Sequence, residues 1–206
     1  MTTTDSGREI SVLVFGDRRI PRALGGCPAV MVTEPADIDA AFTARRLVVL
    51  GSESDLATVL GRLMRADRLD IEVARVGRWR SGRRARTGAV TRLPLIRDET
   101  GTVLVGSAFW LPPGESAGQI EGEAVVDDTV LFDGTATAVR IEPIATQPGL
   151  RASVLTARMR PKQWVTGRAV QLGTTGALVL RDGVQVPRPV RRSTFYRHTQ
   201  GWLAVR

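Results

Sequence analysis

The side chains with most to offer chemically are cations. The chain carries 29 lysines and arginines against 21 acids, for a formal net charge of +8, and Lys162 is the one lysine among them. Arg75, Arg78, Arg80, Arg83, Arg84, Arg86 and Arg92 fall in one short stretch without an acid, and Arg188, Arg191, Arg192 and Arg197 form a second group. Guanidinium groups pair with phosphates and carboxylates, and a basic chain draws polyanions. A composition also rich in Ala, Gly and Val matches a GC-rich genome, in which arginine replaces lysine for coding reasons. Between the basic groups lie Asp98, Glu99, Glu115, Glu121, Glu123, Asp127, Asp128 and Asp133. Folding therefore either polarises the molecule or pairs these blocks with each other. In the run Arg191 to Thr199 the cations interleave with Phe195 and Tyr196, a mixture able to stack bases and hold phosphates, or else a terminal strand with one core face.

Several chemistries are missing. His198 is the single histidine, which excludes a two-histidine metal site and the H-E-x-x-H zinc motif, and no G-x-S-x-G elbow occurs. Cys27, between Gly26 and Pro28, rules out an intrachain disulfide and has no activating neighbour in sequence. Asp127, Asp128 and Asp133 offer carboxylates to Mg²⁺, but VVDDTVLFDG reads more simply as two strand segments joined by polar turns. No catalytic residue, metal ligand or cofactor is expected on these grounds.

The length of 206 residues, with 43% hydrophobic and 24% charged residues, suits one large or two small globular domains. No apolar run approaches the roughly 20 residues needed to cross a bilayer, and the first ten residues lack a secretory leader, which points to the cytoplasm. The expected fold class is α+β, a small α/β parallel-sheet half followed by a mostly antiparallel, β-sandwich-like half. In the first half, strands are expected at Glu9 to Phe15, Pro28 to Val32, Leu47 to Leu50 and Leu69 to Val76, with a short helix from Pro35 to Thr43. Leu56, Val59, Leu60, Leu63 and Met64 repeat at helical spacing behind Ser52-x-x-Asp55, the spacing of a capping box. Residues 77 to 90 read as an exposed basic loop. Beyond it come short β-rich runs, including Arg92 to Ile96, Val103 to Leu111, Thr166 to Leu172 and Ala177 to Leu180. Turns are expected at Asp98 to Gly101, Asp133-Gly134, Gly173 to Gly176 and Asp182-Gly183. The expected domains are 1–76, a basic loop at 77–90, and 91–206, with the final strand, Trp202 to Val205, free to return to the first domain.

A loop between a parallel strand and a helix N-terminus is a favoured phosphate position, because free N–H groups and the helix dipole point there. In Val48 to Leu60 (VVLGSESDLATVL), Ser52 and Ser54 can donate to such a phosphate, whereas Glu53 and Asp55 repel it; a plain helix cap accounts for the same residues. The segment and the order of elements resemble the diacylglycerol/lipid kinase and NAD kinase-like superfamily, which has an α/β domain, then a β-sandwich domain, and a G-G-D-G-T nucleotide loop after a strand. Here Gly51-Ser52-Glu53-Ser54-Asp55 stands at that place, with the first glycine kept and the others gone. The family's late D-G-E is here Asp182-Gly183-Val184. Its early nucleotide-contacting loop is here Gly16-Asp17-Arg18-Arg19-Ile20-Pro21-Arg22. The resemblance implies a shortened, kinase-like pseudoenzyme that has lost phosphoryl transfer and keeps a lipid- or nucleotide-sized cleft. The chain also looks like short actinobacterial sequences labelled as zinc peptidases, but it lacks their motif.

The function expected from these readings is non-catalytic binding of an anionic partner (lipid, nucleotide or protein) through an arginine-rich surface. The candidate ligand-binding residues are Arg18, Arg19, Arg22, Ser52, Ser54, Arg83, Arg84, Arg191, Arg192 and Arg197. Two alternatives stand beside it. One is a residual Mg²⁺/ATP-dependent phosphotransferase with Glu53 or Asp182 as base; the other is non-specific nucleic-acid binding, since no groove-reading motif is present.

Overall fold

The computed structural model describes residues 9–77, 82–114 and 118–206. Arg78 and Arg80 of the basic stretch and Glu115 of the acidic region lie outside them. The chain forms two compact units, one of residues up to 93 together with 200–206, the other of residues 94–199. The fold class is α+β: mixed sheet in the first unit, antiparallel sheet in the second.

The first unit is built on β1 (Ile10–Phe15), β2 (Ala29–Val32), β3 (Arg46–Leu50), β4 (Glu72–Val76), β5 (Val90–Leu93) and β17 (Trp202–Val205), in the order β2-β1-β3-β4-β17-β5. All adjacent pairs are parallel except β17 with β5. Residues of β3 are buried throughout, as a central strand covered on both faces requires. Helix α1 (Glu53–Arg65) buries Leu56, Val59, Leu60 and Leu63, the stripe read from the sequence. The helix expected from Pro35 is a seven-residue 3₁₀ helix, Pro35–Ala41. Its start is tied by the Asp37 carboxylate, which accepts from the Glu34 and Thr33 amides, and these hydrogen bonds hold its pKa below the usual aspartate value. On the other face of the sheet, Val12, Val14, Val48, Leu50, Ala74 and Val76 pack with Leu24 and Ala85. Ala85 belongs to α2 (Gly82–Thr87), a short helix inside the stretch expected to be a basic loop. Composition concealed it, because the helix has one buried apolar side chain and is held by tertiary contacts rather than by an amphipathic period.

The second unit holds β6 (Ile96–Asp98), β7 (Val103–Leu104), β8 (Ala108–Leu111), β9 (Ile120–Val126), β10 (Thr129–Ala136), β11 (Val139–Pro143), β12 (Leu150–Val154), β13 (Val165–Gly167), β14 (Ala169–Arg181), β15 (Val184–Gln185) and β16 (Val190–Arg197). They enclose one core around Trp110, Phe195, Ile141, Leu150 and Leu172. The indole of Trp110 donates to the Ser193 hydroxyl (3.0 Å), so its polar edge is satisfied inside the core.

Three local expectations need correction. The run Arg92 to Ile96 is not one strand: Pro94, which cannot donate to a ladder, separates β5 from β6 and thereby the two units. Gly173 to Gly176 is not a turn. It is a register shift within β14, whose first half pairs with β9 and β16 and whose second half pairs with β8. One long strand there passes from one sheet region to another. Asp133-Gly134 lies inside β10, opposite Glu123 and Gly122. Asp182-Gly183 does form the expected tight hairpin, both residues at positive φ between paired Arg181 and Val184.

Candidate functional site

In the order β2-β1-β3-β4, the winding of the chain across the sheet reverses at β1, so the connections after β1 and β3 leave toward opposite faces, the place where open α/β sheets commonly take ligands. The start of α1 lies on one face of the sheet, and on the other face the segment Gly16 to Leu24 packs against α2.

The start of α1 is already filled. The Ser52 hydroxyl accepts from the Asp55 amide (3.2 Å), while the Asp55 carboxylate accepts from the Ser52 amide (2.7 Å) and hydroxyl (2.8 Å). Ser54 joins through its hydroxyl, 2.8 Å from that of Ser52. The positive end of the helix dipole thus faces a carboxylate from its own first turn. Glu53 adds a second, paired with Arg75 at 3.2 Å. Gly51 also serves the cap: a Cβ there would stand 2.7 Å from the Asp55 Cβ. Ser52 and Ser54 are therefore placed as capping groups.

The cations of the first unit gather around α2, on the other face of the sheet. A 3₁₀ turn at Arg22–Leu24 follows the β1 loop, and α2 packs against it. A Cβ on Gly82 would lie 2.9 Å from Pro21, Arg86 donates to the Ala23 carbonyl (3.3 Å), and Leu24 and Ala85 share one apolar cluster. Arg18, Arg19 and Arg22, exposed in the first segment, are thereby brought to the same region as Arg83 and Arg84, exposed on α2. Sixty residues of sequence separate them.

What holds α2 in place is a residue that the sequence reading passed over. Arg46, at the head of β3, has a side chain only 6% exposed. Its Nε donates to Glu72 (2.6 Å), Nη1 to the carbonyls of Ala85 (3.2 Å) and Arg86 (2.6 Å), and Nη2 to that of Gly88 (3.3 Å). A buried cation thus caps the carboxyl end of the helix that displays Arg83 and Arg84. The available signal was a charged residue at the edge of the apolar run Leu47 to Leu50.

The remaining candidates lie in the second unit. Arg191 and Arg192 are exposed on β16. Arg197 is engaged structurally, donating to the Gln147 side chain (2.8 Å) and the Pro148 carbonyl (3.0 Å). Asp182, considered as a base, accepts from the amides of Val105 (3.0 Å), Gly106 (2.7 Å) and Ser107 (3.0 Å). Its neighbour Arg181 pairs with the buried Asp98. Burial pushes the Arg181 pKa down, opposed by the charge of Asp182. Asp127 binds the amides of Arg168 and Ala169, which fixes it as a turn clamp. Among the described residues no group of three or more His, Cys, Asp and Glu is placed to hold a metal.

No family model matches the sequence, and no curated protein matches it. Solved structures do. A protein assigned as a diacylglycerol kinase, from Bacillus anthracis str. Sterne, superposes with a TM-score of 0.75 at 10% identity, over 96% of this chain and 97% of that one. An NAD kinase from Archaeoglobus fulgidus, in complex with ATP, gives 0.66 at 12% identity, over 96% and 93%. Yeast NADH kinase, complexed with NADH, gives 0.53 at 11% identity, over 95% and 73%. No similarity found supports the zinc-peptidase label. Among the described residues no helix is long and apolar enough to cross a membrane. The chain has the fold shared by diacylglycerol kinase and NAD kinase-like proteins, an α/β unit followed by a β-rich one.

Proposed function

We propose that this protein is a non-catalytic, kinase-like binder of an anionic partner, held by Arg18, Arg19, Arg22, Arg83 and Arg84 around α2 and the 3₁₀ turn of the first unit. The observation that carries the reading is the packing of α2 on the 3₁₀ turn at Arg22–Leu24, which concentrates two separate basic segments in one region. Guanidinium groups at that density favour a ligand with several phosphates or carboxylates over a singly charged one. The cap at α1 supports the loss of phosphoryl transfer, since Asp55 and Glu53 add negative charge beside the approach of a triphosphate. The three amides bound to Asp182 support a structural role for that carboxylate in place of general base.

Retention on a phosphate matrix tests the reading. Arg18, Arg19 and Arg22 replaced together by alanine, and separately Arg83 and Arg84, should each lower the salt concentration at elution while melting temperature stays within about a degree, because exposed charges contribute little to stability. Unchanged retention in both variants refutes the surface; loss only on replacing Arg191 and Arg192 moves it to the second unit. A nucleotide is the second reading, favoured by the likeness to the ATP-bound archaeal NAD kinase. Addition of ATP and Mg²⁺ should then raise the melting temperature, as any ligand of the native state does. No shift at millimolar nucleotide counts against it.

A further inference from the structure

The second unit carries a groove of about 400 Å³ on the face of β9, β14 and β16. Its shape follows from strand register. Gly173 on β14 pairs with Glu123 on β9 to one side and with Arg192 on β16 to the other. Directly paired residues point to the same face, so an acid, a bare backbone and a cation form one row across the sheet. Two strand spacings put the flanking backbones roughly 9–10 Å apart. The next row is Val125, Gln171 and Thr194, also lining the groove.

Glu123 and Arg192 are exposed, and among the described residues neither takes part in an ion pair. The floor between them is open because residue 173 is glycine: a Cβ there would meet nothing within 4 Å. Nothing in the backbone requires glycine at that place, for its φ is not positive.

We infer that this groove binds a small zwitterion of the α-amino acid class, with the ligand's ammonium on Glu123, its carboxylate on Arg192, and its polar side chain against Gln171 and Thr194. A simple anion is attracted by Arg192 and repelled by Glu123; a simple cation meets the reverse. Only a ligand with both charges on one short frame gains at both ends, and wrong-sign ligands are rejected by the same pair. The volume falls in the range of small-molecule sites. The site is separate from the basic surface of the first unit and does not depend on it.

The test is a titration of ¹⁵N-labelled protein with L-glutamine at pH 7, with acetate and methylammonium as half-charge controls. Saturable shifts are expected at the amides of Val125, Gln171, Gly173 and Thr194, with neither control saturating. Glu123→Gln and Arg192→Gln should each weaken binding about tenfold, the loss of one charge-assisted hydrogen bond. Gly173→Val, whose Cβ meets nothing within 4 Å, should abolish binding by filling the floor while the melting temperature holds. Saturation by acetate alone, the absence of saturable shifts at tens of millimolar glutamine, or unaltered binding by Gly173→Val would each overturn the assignment. So would shifts at these amides that follow protein concentration without ligand, since a second copy of the chain would then cover the groove.

Discussion

Replacing Arg46 by methionine keeps the length of the side chain and removes the charge and every donor. Four hydrogen bonds disappear, to Glu72 and to the carbonyls of Ala85, Arg86 and Gly88. Glu72, its side chain 12% exposed, is left with Arg45 alone, a longer contact of 3.3 Å from a side chain that is itself 62% exposed. Breaking a buried pair by removing one partner costs about 3–5 kcal/mol. At 2–4 °C per kcal/mol for a chain of this size, melting should fall by roughly 6–20 °C. The double change Arg46→Met with Glu72→Leu should recover a large part of that loss, because the uncompensated carboxylate is gone with its partner. Calorimetry reads the first effect, and amide hydrogen exchange in α2 locates it. Since Arg46 caps the helix that displays Arg83 and Arg84, the single variant should also weaken retention on a phosphate matrix without touching the ligand. A melting temperature within about 2 °C of the parent protein would refute the reasoning.

The other predictions concern single contacts. Asp182→Ala strips the acceptor from three amides and should destabilise the second unit by about 2–3 kcal/mol in denaturant unfolding; an unchanged midpoint would reopen its candidacy as a base. Gly51→Ala should cost about 1–2 kcal/mol by pushing Asp55 off the cap, and should cost far less when Asp55 is already alanine. Asp37, its pKa lowered by the Glu34 and Thr33 amides, should titrate below an ordinary aspartate in a carbon-detected NMR series. Because the folded value is the lower one, its stabilisation is present above the unfolded value and disappears as pH falls through the folded one. The substitution Asp37→Asn should therefore narrow the stability gap between neutral and acid solution.

Much of the architecture was legible because its signals are local. The apolar runs of β1 and β3 and the stripe Leu56, Val59, Leu60 and Leu63 record burial directly, and Ser52-x-x-Asp55 records its own cap in four residues. Asp182-Gly183 announces a hairpin because few residue pairs accept two consecutive positive φ angles. The likeness to the kinase fold was visible in the order of elements, which is likewise a one-dimensional property.

Tertiary structure decided what depends on partners far away in sequence. Whether Gly173 to Gly176 turns or bends depends on β8, β9 and β16, which lie on either side of β14. Helix α2 forms because Arg46 and Glu72, some forty and ten residues upstream of it, supply the buried donors and charge that its own sequence lacks. The fate of each arginine was decided in the same way. Composition fixed the number of cations, but only packing separated Arg46 and Arg197, spent on carbonyls and side chains within the molecule, from Arg18, Arg19, Arg22, Arg84 and Arg192, which face solvent. A guanidinium offers the same five donors to an internal acceptor as to an external one, so its role is set by what the folded chain places within reach.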